Sequence, residues 1–426
     1  MMLLYYFLHY AREDFSYRLR NIPQNALHYV NSNAENSPLI AVDVQKQLSI
    51  RYLQHYFSPW NNDAAKDALA YKSTNQQIIR EYIRYPGYGI NHLHNSQAWV
   101  ESIVRNMNME NFPNKNSRVI TISNINMRVL PTNQPSFGDF YRAGQGYPFD
   151  NLQATSLAAN TPALVLQKTR DDAWCFIVTH NSNGWVPTTS LAAVDDQFIM
   201  HWKTGHYVTL IKNKVSIIDQ KKLMRFTGNI GKIFPVDHHF ILIAVPDANQ
   251  KATITKGQLN DLDAEKWPIV AIQKNIAQLM NAMLGVKYGW GGLNHDSDCS
   301  LTTMNLFSAF GIWLPRNSTL QGYLPNAIDL RHLSNSEKEK AIVARGIPFL
   351  TLLEMPGHVV VYIGKNQGNV MIFQTVWGVH TRHLLGAEGR AIIGSTVITP
   401  INLGEKDVNV KKTWLDQIER MVVLGE

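Results

Sequence analysis

The sequence predicts a multidomain protein: a helical N-terminal domain, two small β-barrels and a C-terminal α+β domain. Three observations support this reading. A chain of 426 residues is longer than one core commonly holds, and 45% hydrophobic with 10% aromatic residues marks a folded globular protein. After residue 117 a polar, helical pattern gives way to short strands separated by turn signals. Near the end, a glycine-rich loop at Tyr288–Gly292 runs into an apolar, helix-like stretch at Cys299, and β-branched strands follow from His358.

Residues 1–117 form the helical domain. Asn75 to Arg84 has no breaker, whereas Asn111 to Ser117 reads as a linker. Met1 to Tyr10 is apolar but lacks a basic start and a small-residue cleavage site. It reads as a shortened secretory signal or as a first helix, with the helix slightly favoured. His92 and His94 are spaced for metal only if they lie on a strand, and with no carboxylate or cysteine pattern nearby they read as surface residues. Residues 118–195 form the first barrel. Its segments Asn126–Thr132, Pro148–Gln153 and Gly184–Pro187 resemble a bacterial SH3-like domain, with Ala163–Leu166 and Trp174–Val178 as further strands and Lys168–Asp172 as a turn. Residues 196–262, with strands at Tyr207–Ile211 and Phe240–Ala244, form a second SH3-like barrel, and His238-His239 reads as a solvated turn. Residues 263–426 form the last domain.

Cys299 opens the apolar stretch of that domain. A thiol at a helix start feels the positive end of the helix dipole, which favours the thiolate, the nucleophilic form. Gly357-His358-Val359-Val360-Val361-Tyr362 reads as a strand, and Val370 to Gln374 as its return. If Lys365-Asn366-Gln367 is a three-residue turn, His358 lies opposite Gln374; a turn one residue shorter or longer shifts the pairing. A glutamine amide there would hold one imidazole tautomer. Cysteine, histidine and an orienting amide make a cysteine-hydrolase constellation. With Cys175 as the chain's other cysteine, set in an apolar strand, a multi-cysteine metal site is excluded.

The segment from Leu284 to Gln321, with Tyr-Gly-Trp-Gly-Gly, Asp-Cys-Ser and Leu-Pro-Arg-Asn-Ser, closely resembles the NlpC-type family of papain-like cell-wall peptidases. So do Phe349–Leu353, Pro356-Gly357-His358 and Phe373–Gly378. The resemblance implies a papain-like fold with Cys299 as nucleophile, His358 as base and Gln374 as the third polar group. It also implies that Tyr288 binds substrate or the oxyanion and that Asp298 and Ser300 recognise the peptide's free amine. Leu301 departs from the family's glycine.

What the resemblance implies about function is hydrolysis of peptidoglycan stem peptides at the γ-D-glutamyl–diamino acid bond, without metal or organic cofactor. The expected partners are wall peptides or murein fragments. The expected place of action is the periplasm or outside the cell, with cytoplasmic recycling as the alternative. A non-catalytic wall-binding protein and a same-fold amidase or acyltransferase are the competing readings. The net charge of +7 favours acidic partners, yet no dense Lys/Arg run or nucleic-acid motif selects nucleic acid. No apolar run is long enough to span a membrane. Asp150, a candidate substrate contact from the first barrel, reads preferentially as a turn cap.

Overall fold

The computed structural model describes residues 19–61, 63–382 and 388–425; the Met1–Tyr10 stretch lies outside them. Helices α1 (Val42–Tyr56), α2 (Ala68–Arg84) and α3 (Gln97–Met107) form the N-terminal part. Ser96 caps α3 by accepting from the Trp99 N–H, and Asn108 ends it in the left-handed region at φ 57°. This part is tied down by satisfied buried polar groups. The Gln45 amide donates to the carbonyls of Ile269 (2.7 Å) and Phe310 (3.0 Å), and the Trp60 indole donates to Val119 (2.8 Å). His92 stacks on Phe140, and His94 lies tilted against Tyr88. Among the described residues no His, Cys, Asp and Glu group is arranged to hold a metal.

The first barrel comprises β1 (Ser117–Thr121), β2 (Ile125–Arg128), β3 (Gln153–Leu157), β4 (Pro162–Lys168), β5 (Trp174–Val178), β6 (Asn183–Pro187) and β7 (Leu191–Ala193). They lie in the order β3-β2-β6-β5-β4-β1-β7. The strand expected over Pro148–Gln153 instead begins at Gln153, because the preceding residues are spent on a loop cap. Asp150 is buried there. It pairs with Arg128 (2.8 Å) and accepts from the backbone of Ser136 and Leu152.

Helix α4 (Asp196–Trp202) leads into the second barrel: β8 (Tyr207–Leu210), β9 (Val215–Ile218), β10 (Met224–Gly228), β11 (Ile233–Asp237), β12 (Phe240–Pro246), β13 (Ala252–Gly257) and β14 (Ala264–Lys266). Five of these strands run β13-β12-β11-β8-β14, and β9 pairs with β10. Since β14 pairs with β8, this sheet extends past residue 262 to Lys266.

The last domain is α+β. Helices α5 (Gln273–Met283), α6 (Cys299–Ser308) and α7 (Ser318–Gly322) precede β15 (Ile328–Asp329) and α8 (Asn335–Arg345). Then come β16 (Thr351–Met355), β17 (His358–Asn366), β18 (Asn369–Arg382), β19 (Glu388–Pro400), α9 (Trp414–Gln417) and β20 (Arg420–Val423), giving a sheet ordered β15-β20-β16-β17-β18-β19. The period-two alternation of its strands sends Val359, Val361, Phe373 and Ile398 into one core with Leu306 and Phe307 of α6. Val360, Tyr362 and Ile372 enter the other with Ile342 and Trp414. Each fully buried aliphatic side chain contributes about 1.5–3 kcal/mol, so α6 is pinned to the sheet that carries His358.

The β17–β18 turn differs from the three-residue expectation. Asn366 pairs with Asn369, leaving Gln367 (φ 48°) and Gly368 (φ 85°) as a two-residue turn. A bulge between Tyr362 and Gly364 then offsets the register, so that Val361 faces Phe373. Carried one step further, this sets Gln374 against Val360, and His358 reaches Gln374 diagonally.

Candidate active site

Cys299 is the first residue of α6, and its placement starts with Asp298. The Asp298 carboxylate caps the helix by accepting from the Leu301 N–H (2.9 Å). Threonines bind the helix to the sheet: Thr302 Oγ1 lies 2.6 Å from Thr375 Oγ1, which lies 2.7 Å from Thr396 Oγ1. Leu301, the departure from the family glycine, is buried and packs toward Gly292, where a Cβ would fall 2.8 Å from its side chain. Gly291 and Gly292 hold positive φ of 60° and 72°, and the Gly-rich loop closes against Gln153 and Ser156 of the first barrel.

The three expected reacting groups come together at the α6–β17 junction. Gln374 is held by its own donor, which reaches Thr399 Oγ1 at 2.8 Å, so its carbonyl turns toward His358. His358 Nε2–H donates to that Gln374 Oε1 at 2.8 Å, which leaves Nδ1 as the nitrogen able to take a proton. The Cys299 sulfur receives the backbone N–H of Val359, the residue after His358.

The electrostatics depart from the expected thiolate. Burial, then the Asp298 charge, pushes the Cys299 thiol up to about 12, against the opposing N–H groups of Val359 and Ser300 and the charge of Arg316. Burial also lowers His358 below 6.5, although Gln374 and Asp298 pull the other way. Both shifts run toward the neutral forms, thiol and imidazole, and burial is the leading cause of each. Tyr288 stands beside them. Burial and the neighbouring Cys299 and Asp298 raise its hydroxyl well above 10.0, keeping it a neutral donor.

Asp298 and Ser300 are brought together, but around Arg316. That guanidinium donates to both carboxylate oxygens of Asp298 (3.1 and 2.6 Å), to Ser300 Oγ (2.8 Å) and to Thr155 Oγ1 of the first barrel (2.6 Å). Both partners are nearly buried, at 11% and 9% side-chain exposure. The Asp298 charge is therefore already paired. An aromatic wall borders the site: Phe149 of the first barrel lies 5.3 Å from Trp290, 6.0 Å from Trp377 and 6.2 Å from Tyr288. Sequence reasoning left Arg316, Thr399, Thr155 and Phe149 without a role. Arg316 had a signal, its Pro-Arg-Asn setting 17 residues after the cysteine; the others have none without the fold. Cys175 is buried and free, as is Cys299.

Family models match four stretches of the chain. They are the NLPC_P60 stabilising domain (residues 12–112), the SH3 domain of SH3b1 type (135–187), the SH3 domain of SH3b2 type (195–239) and the NlpC/P60 family (285–384). A solved NlpC/P60 endopeptidase from Photobacterium damselae subsp. piscicida is similar over 95% of this chain and 98% of its own, with 29% identity and a TM-score of 0.88. An NlpC/P60 family protein from Bacillus cereus ATCC 10987 shares 17% identity over 72% of this chain and 98% of its own, with a TM-score of 0.48. No curated protein matches the chain significantly. The C-terminal domain of this chain thus belongs to the NlpC/P60 family, joined to that family's N-terminal stabilising domain and to two SH3b barrels.

Proposed function

We propose that the chain is a cysteine endopeptidase that hydrolyses peptidoglycan stem peptides at the γ-D-glutamyl–diamino acid bond. The observation that carries the reading is the His358–Gln374 hydrogen bond, which leaves Nδ1 free to act as base on the strand whose Val359 N–H reaches the Cys299 sulfur. Similarity to a solved endopeptidase over nearly the whole chain supports peptidase chemistry, and family membership supports a wall peptide as substrate and action outside the cytoplasm.

In this reading His358 Nδ1 takes the Cys299 proton as the sulfur attacks the scissile carbonyl carbon. The resulting oxyanion lies toward the Cys299 N–H, which as a first-turn amide has no intrahelical acceptor, and toward the Tyr288 hydroxyl. His358 then gives its proton to the leaving amine as the C–N bond breaks. Water, deprotonated by His358, attacks the thioester and releases the D-glutamyl carboxylate and the thiol. Gln374 supports the imidazolium that forms twice in this cycle.

Incubation with the soluble stem tetrapeptide L-alanyl-γ-D-glutamyl-diaminopimelyl-D-alanine and mass detection of fragments tests this. Cleavage after D-glutamate by the native chain and none by Cys299→Ala is the expected result. No cleavage by the native protein leaves only a wall-binding role. Release at an amide other than the expected one points to amidase or acyl-transfer chemistry, and cleavage retained in Cys299→Ala removes the cysteine mechanism.

A further inference from the structure

One enclosed cavity does not lie over Cys299. It lies behind α6, where all four domains meet, and measures about 670 Å³, a volume suited to a small ligand. Tyr52 and Tyr56 come from the N-terminal domain, His180 from the first barrel, Lys232 from the second, and Leu301, Asn305 and Ser308 from α6 itself.

Lys232 is the unusual group. Its ammonium donates to the Asn160 carbonyl (2.9 Å) and the Tyr56 hydroxyl (3.4 Å). It also lies 6.0 Å from the Tyr56 ring and 5.7 Å from Phe234. All of these are neutral partners. Among the described residues no carboxylate pairs with it, and one of its three N–H donors has no protein acceptor. Lys232 is half-buried and lines the cavity. Burial accordingly pulls its pKa from 10.5 to about 7. A half-buried cation held only by neutral partners lacks a counter-charge, and a bound anion would supply one.

The surroundings favour an anion. His180 Nδ1 accepts from the Trp313 indole (3.1 Å), so the proton of its neutral ring sits on Nε2 as a second donor within electrostatic reach of Lys232. At the mouth, exposed Lys214 and Lys287 flank Asp296, the one carboxylate lining the cavity. We propose that this interdomain cavity binds a small carboxylic acid of amino-acid to dipeptide size, with its carboxylate on Lys232 and His180. The ligand would touch the back of the helix that carries Cys299 and join all four domains. This site stands whether or not the proposed bond specificity holds. The acid could be the dipeptide product of the proposed cleavage or an unrelated short acid, and the two sources share this chemistry.

Thermal unfolding of the full chain carrying Cys299→Ala tests the site without turnover, using glutarate, L-alanyl-D-glutamate and the neutral diamide glutaramide as probes. Glutarate is expected to raise Tm by about 2–5 °C near saturation, glutaramide to leave it unmoved, and Lys232→Met to remove the response. His180→Phe serves as a second variant if Lys232→Met does not fold, and is expected to weaken the response. A response to L-alanyl-D-glutamate but not glutarate supports the site with the reaction product as its ligand; a response to both supports a general short-acid site. No response to either acid, an equal response to glutaramide, or a full response in Lys232→Met overturns the proposal.

Discussion

The two barrels share one class of architecture and serve opposite ends of the same helix. The first reaches the N-terminal end of α6: Gln153 donates to the Gly291 carbonyl (3.1 Å), Thr155 accepts from Arg316, and Phe149 enters the aromatic wall. The second supports the far end. Its Gly231 carbonyl accepts from Ser308 Oγ (2.7 Å), and its backbone comes so close that a Cβ on Gly231 would fall 2.0 Å from the Asn305 carbonyl oxygen. The first therefore shapes the ground beside the sulfur, while the second sets where the helix sits. A small barrel offers many loops, and the loop that faces the helix, not the barrel, decides the task.

Substitutions at the two ends should separate these tasks. At the reacting end, Cys299→Ala is expected to lower turnover by about 10⁴-fold or more with little change in Tm; comparable rates would end the assignment. Arg316→Leu strands the buried Asp298 carboxylate and is expected to cost about 3–5 kcal/mol in denaturant unfolding, besides disturbing the helix start. An unchanged midpoint would mean that the first barrel's polar link carries no weight. Gln374→Ala should reduce kcat by about 10²-fold while the unfolding midpoint stays near native, because it frees the imidazole rather than the fold. At the far end, Gly231→Ala meets both the Asn305 carbonyl and a positive φ of 81°, so a loss of about 1–3 kcal/mol is expected. The pH profile of the activity that remains should keep its shape.

The smallest effect concerns pH. His358 must be neutral to accept the thiol proton, and its pKa is lowered from 6.5 by burial. Activity should thus persist as pH falls through 6.5 and decline only below it, while the thiol near 12 gives no rise through the neutral range. A rate measurement from pH 4 to 9 that loses half its activity above 6.5 would contradict this resting state.

Legibility followed distance along the chain. The helix start at Cys299 was readable because its cap, Asp298, is the adjacent residue and its glycine loop lies just before it. The hairpin was readable as a hairpin but not in register. Gln367 takes a positive φ, which a glutamine seldom does, so the tighter turn carried no clear mark, and the bulge between Tyr362 and Gly364 then changed the pairing. The His358–Gln374 contact forms nonetheless, since a glutamine is long enough to be reached diagonally. Thr399 and Thr155 are ordinary strand threonines in the sequence, lying 25 residues from Gln374 and 161 from Arg316.

The sequence by itself determined the fold class and, through motifs that resemble a known family, the family of the last domain, and it pointed to Cys299, His358 and Gln374 as the expected trio; caps, strand alternation and motifs are local properties. Only the tertiary structure supplies the burial that shifts Cys299 and His358. Burial shifts the thiol and the imidazole toward their neutral forms, where the helix dipole alone argued for a thiolate. The pairing of Asp298 with Arg316 and the lone lysine behind α6 belong to the tertiary structure too, since each joins segments that the chain's order keeps apart.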